Sequence, residues 1–82
     1  MTAVVTLYGK PGCCLCDEAR RAVEVVRATR TFAVEEVDVS LDPILHRRYG
    51  ERIPVLLVDG EEAFELGVEA EELARCLDTV RP

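Results

Sequence analysis

The sequence predicts an α/β domain with the element order βαβαββα, a four-stranded mixed sheet flanked by helices. Three observations lead there: a β-branched apolar run closed by a glycine- and proline-rich turn, an amphipathic segment with helical spacing after it, and Asp59-Gly60 between two later apolar runs. Strand, helix and strand in succession make a βαβ unit, and a two-residue turn joins antiparallel neighbours, so the sheet is mixed.

"AVVTLY", residues 3 to 8, reads as a buried strand, and Gly9, Lys10, Pro11 and Gly12 supply the turn after it. From Asp17 onward, Ala19, Ala22, Val23 and Val26 fall at i, i+3, i+4 and i+7, while Asp17, Glu18, Arg20, Arg21, Glu24 and Arg27 fill the other faces; this predicts an amphipathic helix ending near Arg30. "AVEEVDV", with Val34, Val37 and Val39, favours a second strand. Ser40 and Asp42 both suit an N-cap and Pro43 a first helical position, which predicts a short helix to Tyr49, stopped by Gly50. "PVLLV" and "EAFEL" are strands joined at Asp59-Gly60, the second with Ala63, Phe64 and Leu66 as its apolar members. A closing helix places Leu73, Cys76, Leu77 and Val80 on one stripe, with Glu69, Glu71 and Glu72 at the favourable end of its dipole.

At 82 residues the chain has room for one domain, residues 1 to 82, with one core. Ten Lys and Arg against 16 Asp and Glu leave a net charge of -6, which opposes the phosphate neutralisation that nucleic-acid binding requires. No apolar run is long enough to cross a bilayer and no secretory signal pattern is present, so a cytoplasmic monomer is expected, with no nucleic-acid or membrane partner. Thiols are kept reduced in that compartment unless they are catalytic, so a redox or metal role outranks structural disulfides for the four cysteines.

Three of those cysteines stand within "YGKPGCCLCDEA", residues 8 to 19. Cys13 and Cys16 are spaced C-x-x-C where the first strand hands over to the first helix, the redox context for this motif. Cys16 lies three residues before Ala19 and joins the buried stripe, whereas Cys13 sits at the helix mouth among outward-pointing N–H groups. Cys13 is the expected attacking thiolate and Cys16 the resolving thiol. A thiol of pKa about 8.5 is a few per cent ionised near neutrality. Lowering it by two units represents roughly 2.7 kcal/mol. A helix terminus supplies about 0.3 to 1 kcal/mol, rising to roughly 2 in partly buried geometry. Help is therefore expected from Lys10 and from a hydrogen bond donated by Cys16. Asp17 and Glu18 oppose it, so moderate activation is predicted. Cys14 is expected at the surface, open to an alternative disulfide, to a glutathione cap or to no role. Cys76 reads as a small core hydrophobe.

Two alternatives of other classes stay open. The clustered thiols suit Cu(I), Zn or an iron-sulfur cluster, although a four-ligand zinc site lacks an evident fourth donor. A redox-inactive adaptor that keeps the fold to bind a partner is the other.

"YGKPGCCLCDEA" together with "RIPVLLVDGEE" resembles the glutaredoxin-like branch of the thioredoxin superfamily, in particular small bacterial proteins with a Pro-Gly-Cys-x-Leu-Cys-Asp signature. The resemblance covers nearly the whole chain. It implies a thioredoxin fold and thiol-disulfide oxidoreductase chemistry through Cys13 and Cys16, with no bound cofactor, acting on protein or small-molecule disulfides. Glutathione, as co-substrate, or a thioredoxin-reductase-type protein would return the electrons. The resemblance also implies that Pro54 follows a cis bond and faces the dithiol, against the ordinary preference for trans. Ile53 would then offer its backbone to an extended substrate, with Cys14, Leu15 and Glu69 as further substrate-binding positions. The sequence departs from glutathione-using glutaredoxins, which carry an aromatic residue inside the motif and a Gly-Gly, Ser or Thr, Asp run before the last helix. Here Cys14 and Leu15 fill the motif and "LGVEAE", with Gly67 and Glu69, stands at the second site; Glu69 would repel a carboxylate. The tryptophan-containing motif of thioredoxin is absent. Arg47, Arg48 and Arg52 form a basic group read as a solvated face, and His46 as exposed and uninvolved.

Overall fold

The computed structural model describes residues 3–79, with only the backbone of Thr79. Its elements are β1 (Val4–Gly9), α1 (Cys14–Arg27), β2 (Ala33–Asp38), a single 3-10 turn (Val39–Leu41), α2 (Pro43–Tyr49), β3 (Val55–Val58), β4 (Glu61–Glu65) and α3 (Ala70–Thr79). The order is βαβαββα, and the strands form one sheet in the order β2-β1-β3-β4. β1 pairs parallel with β2 and antiparallel with β3, which pairs antiparallel with β4.

β3 sits inside the sheet with both faces covered, and Val55, Leu56, Leu57 and Val58 are all buried. Its alternate residues divide the interior into two clusters. Leu56 and Val58 pack with Val5 and Leu7 of β1, Ala19, Val23 and Val26 of α1, and Leu73 of α3. Val55 and Leu57 pack instead with Val39, Tyr49, Ile53 and Cys16. Helices α1 and α3 therefore cover one face and α2 the other.

Helix α1 starts at Cys14, three residues before Asp17, because its start is set by capping: the Cys13 sulfur accepts from the Cys16 N–H. It stops at Arg27 rather than near Arg30, and the N–H groups of Thr29 and Arg30 fold back onto the Val26 carbonyl. Ser40 is not a cap. Its N–H and hydroxyl donate to the Asp38 carboxylate, whereas Asp42 caps α2 by accepting from the N–H groups of Ile44 and Leu45. Gly50 follows α2 in right-handed helical backbone, its N–H bonded to the His46 carbonyl, so the helix ends without a left-handed turn.

Asp59 and Gly60 have φ of 51° and 87°, the mirror-image turn that matches strand twist. The Asp59 carboxylate also accepts from the Val4 N–H at 2.9 Å, fastening the turn to the start of β1. Leu66 does not belong to β4. The strand ends at Glu65, and Leu66 takes φ of 64° and stays 56% exposed while its N–H reaches the Arg52 carbonyl. In α3 the buried side is Ala70, Leu73, Ala74 and Leu77, so the stripe is turned slightly from the predicted one and Cys76 is half-buried at its margin instead of in the core. Val80, predicted on that stripe, lies outside the described residues. Among the described residues no helix is long and apolar enough to cross a membrane.

Candidate active site

β1 delivers the chain to the end of the sheet, Pro11 and Gly12 turn it, and α1 begins at once, so Cys13 lands on the N-cap with Cys16 one turn deeper. Cys13 is half-buried, Cys14 and Leu15 are exposed, and Cys16 is 2% exposed. The Cys16 N–H lies 3.4 Å from the Cys13 sulfur, one of the unpaired helix-terminal donors that favour an anion there.

The two thiols are driven in opposite directions. Cys13 is lowered from the ordinary thiol value, chiefly by the hydrogen bond from the Cys16 thiol; partial burial works against this, and the N–H groups of Cys16 and Leu15 add to it. Cys16 is pushed up to about 11 by burial first and then by its hydrogen bond to Cys13, with the Lys10 backbone N–H acting the other way. The Lys10 charge contributes least to Cys13, so the cation named from sequence is a minor influence. Its ammonium is solvent-exposed, where water screens it. Lys10 acts more directly through its backbone N–H on Cys16. Asp17, expected to oppose ionisation, turns to Arg20 at 3.0 Å, and Arg20 reaches Glu36 at 2.6 Å.

Ile53 is buried in the same cluster as Cys16, and Cys13 packs against that cluster. The Ile53–Pro54 peptide bond is cis, and Pro54 is buried. Glu69 is exposed just before α3, its carbonyl accepting the Leu73 N–H. Its loop is tied to the Ile53 segment through the Leu66 N–H to the Arg52 carbonyl, 3.0 Å. The structure thus gathers Cys13, Cys16, Ile53 and the Lys10 backbone, leaves Cys14 and Leu15 on the outer surface of the same helix turn, and keeps Glu69 on a neighbouring loop.

Sequence reasoning missed the aromatic support beneath the dithiol. Tyr8 and Tyr49 stack with ring centroids 4.5 Å apart; Tyr49 is a member of the cluster that holds Cys16, and Tyr8 packs against it. The guanidinium groups of Arg48 and Arg52 lie 5.5 and 5.3 Å from the Tyr49 ring centroid. Arg52 is also engaged by Glu62 at 2.7 Å and Glu65 at 3.1 Å, so this member of the basic group ties α2 to β4. His46 is exposed. No local pattern pairs Tyr8 with Tyr49; their apolar character was the only available signal.

Behind the dithiol, a cleft of about 470 Å³ opens at the carboxyl ends of the parallel strands β1 and β2, with Gly9, Cys16, Arg20 and Asp38 among its lining residues. Among the described residues no three Cys, His, Asp or Glu side chains converge in a way that could hold a metal ion. Cys14 stands at the surface and Cys16 in the interior, so Cys13, Cys14 and Cys16 do not converge as a three-thiol group.

The family model "Glutaredoxin-like domain (DUF836)" matches residues 4–78. Among solved structures, the X-ray structure of target protein XcR50 from X. campestris is 35% identical, with a TM-score of 0.79 over 94% of this chain and 99% of that one. Protein Ne2328 from Nitrosomonas europaea is 24% identical, with a TM-score of 0.80 over 94% and 93% of the two chains. A mutant thioredoxin from Halobacterium salinarum NRC-1 is also 24% identical, with a TM-score of 0.71 over 98% of this chain and 78% of that one. The last two likenesses concern the fold alone. No curated protein matches the sequence.

Proposed function

The chain belongs to the family of glutaredoxin-like domains and has the thioredoxin fold, and from that premise we propose that it is a thiol-disulfide oxidoreductase acting through Cys13 and Cys16. The observation that carries this reading is the division of labour between the two thiols: an accessible one lowered in pKa at a helix N-cap, and a buried one raised to about 11 beside it. Such a pair suits stepwise thiol-disulfide exchange.

The Cys13 thiolate attacks one sulfur of a substrate disulfide, forms a mixed disulfide, and expels the other sulfur as a thiolate that takes a proton from water. Cys13 no longer carries negative charge, so its hold on the Cys16 proton is lost. Cys16 gives that proton to solvent or to the departing sulfur, attacks the Cys13 sulfur and releases the second substrate thiol. The substrate disulfide has then gained two electrons, and the protein holds a Cys13–Cys16 disulfide. An external dithiol reductant or glutathione returns the electrons, and a reducing compartment such as the cytoplasm is the setting.

Ile53, before the cis bond, is the backbone position we propose for substrate, with Cys14 and Leu15 on the exposed helix turn and Glu69 on the adjoining loop as its rim. The deciding measurement is thiol mapping of the purified protein equilibrated at a series of thiol potentials. Joint, reversible loss of Cys13 and Cys16 as a single disulfide is expected, and Cys16→Ser should accumulate the mixed disulfide on Cys13. If no Cys13–Cys16 disulfide forms at any potential, the proposal is wrong.

A further inference from the structure

Gly9 closes β1 and pairs with Asp38 across the parallel ladder. Unlike Gly12 and Gly60, it is not in the left-handed region, so a residue with a side chain can adopt its backbone. Glycine inside a strand is also destabilising relative to alanine. Conformation therefore gives no reason for glycine here. Sterics does: a Cβ on Gly9 would stand 2.9 Å from Cys16 Sγ and 3.3 Å from Cys16 Cβ. Non-bonded carbon atoms settle about 3.5 to 4.0 Å apart, and sulfur is larger still. Rotating the thiol would relieve the contact with Sγ but not the one with Cβ at 3.3 Å, so the first turn of α1 and the end of β1 still have to part slightly.

We propose that Gly9 is a positioning residue for the dithiol: the notch left by its missing side chain seats the Cys16 sulfur, and that seat fixes the hydrogen bond from the Cys16 thiol to Cys13. The inference rests on the reading of Cys13 and Cys16 as a redox pair and adds to it the residue that sets their geometry. The seat has two further sides. The Cys16 N–H reaches the Cys13 sulfur at 3.4 Å, so any lift of this turn disturbs Cys13 directly. The Lys10 N–H, next along the chain from Gly9, lowers the Cys16 thiol from the end of the same strand.

The test is a double-mutant cycle read on Cys13 reactivity. Four proteins, all carrying Cys14→Ser so that the exposed thiol does not compete, combine Gly9→Ala with Cys16→Ala in every pairing. Each is fully reduced and alkylated with iodoacetamide across a pH series, which gives the thiolate midpoint of Cys13. Where Cys16 is present, Gly9→Ala should move the midpoint upward and slow alkylation near neutral pH by about threefold or more, since tenfold corresponds to one pKa unit. Where Cys16 is replaced, Gly9→Ala should leave the midpoint in place. An equal effect in both backgrounds, or no effect where Cys16 is present, overturns the proposal.

If Gly9→Ala alone does not fold, recovery of the fold in Gly9→Ala/Cys16→Ala supports the notch, and failure to recover it overturns the notch. Cys16→Ala alone separates this inference from the one beneath it. A Cys13 midpoint unmoved by Cys16→Ala removes the coupled dithiol itself, whereas a raised midpoint with a silent Gly9→Ala removes only the role of Gly9.

Discussion

Cys13 and Cys16 carry the same side chain, and a single helical turn gives them opposite acid-base character. The hydrogen bond between them lowers one and raises the other, and burial adds to the rise of Cys16. This has a consequence for stability. A thiol raised in the folded protein stabilises it fully below the unfolded thiol value and loses that contribution as pH rises through the folded value. For Cys16 the window runs from the ordinary thiol value up to about 11. Cys13 works in the opposite sense, because its lowered thiol adds stability as pH rises toward the ordinary value. Urea unfolding of the reduced protein should therefore show stability falling with pH above the ordinary thiol value, and Cys16→Ala should abolish that fall. An unchanged slope in the variant would mean that Cys16 is not the group responsible.

The elements place the dithiol at one end of the sheet and the Asp59-Gly60 turn at the other, since Asp59 is bonded to Val4 at the start of β1 and the cysteines follow its end. Gly60 has φ of 87° and open space where a Cβ would stand, so Gly60→Ala meets only the backbone penalty. That penalty is about 1 to 2 kcal/mol. A lowered urea midpoint with unchanged slope and unchanged Cys13 alkylation is expected. β4 is an edge strand bearing Glu61, Glu62 and Glu65, and Arg52 is what neutralises the last two. Arg52→Met keeps the apolar stem over Tyr49 while removing both ion pairs. Amide hydrogen exchange should then quicken in β4 and at Leu66 while that of β1 is unaltered; equal protection in both proteins would show that the ion pairs do not hold the edge.

For the molecule as a whole, the two clusters divide stability from chemistry. The cluster under α1 and α3 contains Leu56 and Leu73, both fully buried, whereas the cluster on the α2 side contains Cys16 and Ile53. Domains are stable by roughly 0.05 to 0.15 kcal/mol per residue, and a buried Leu→Ala change costs about 2 to 5 kcal/mol. Leu56→Ala should consume a large part of the stability of this 82-residue chain, lowering the unfolding midpoint sharply. At temperatures where the variant is still folded, Cys13 should be alkylated at the wild-type rate. A slowed rate there would show that the two clusters act as one.

Local properties were legible in the residues. Cys16 was legible as the inner thiol because it stands three residues before Ala19 and positions three apart share a helix face, Cys13 as the outer one because it falls at the helix mouth, and Asp59-Gly60 determined its turn because few other pairs tolerate two positive φ values. The element order follows from the same short-range preferences. What only the tertiary structure decided depends on distances between residues remote in sequence: the Tyr8–Tyr49 stack, the bond of Arg52 to β4, the side of α3 that faces the core, and the notch at Gly9 under Cys16. In sequence Gly9 was part of a turn cluster. In the fold it is the last residue of a strand, and its missing side chain acquires meaning from a sulfur brought onto it by the helix that follows. Backbone preferences limit torsions residue by residue; they do not determine which side chains meet once the sheet and helices have packed.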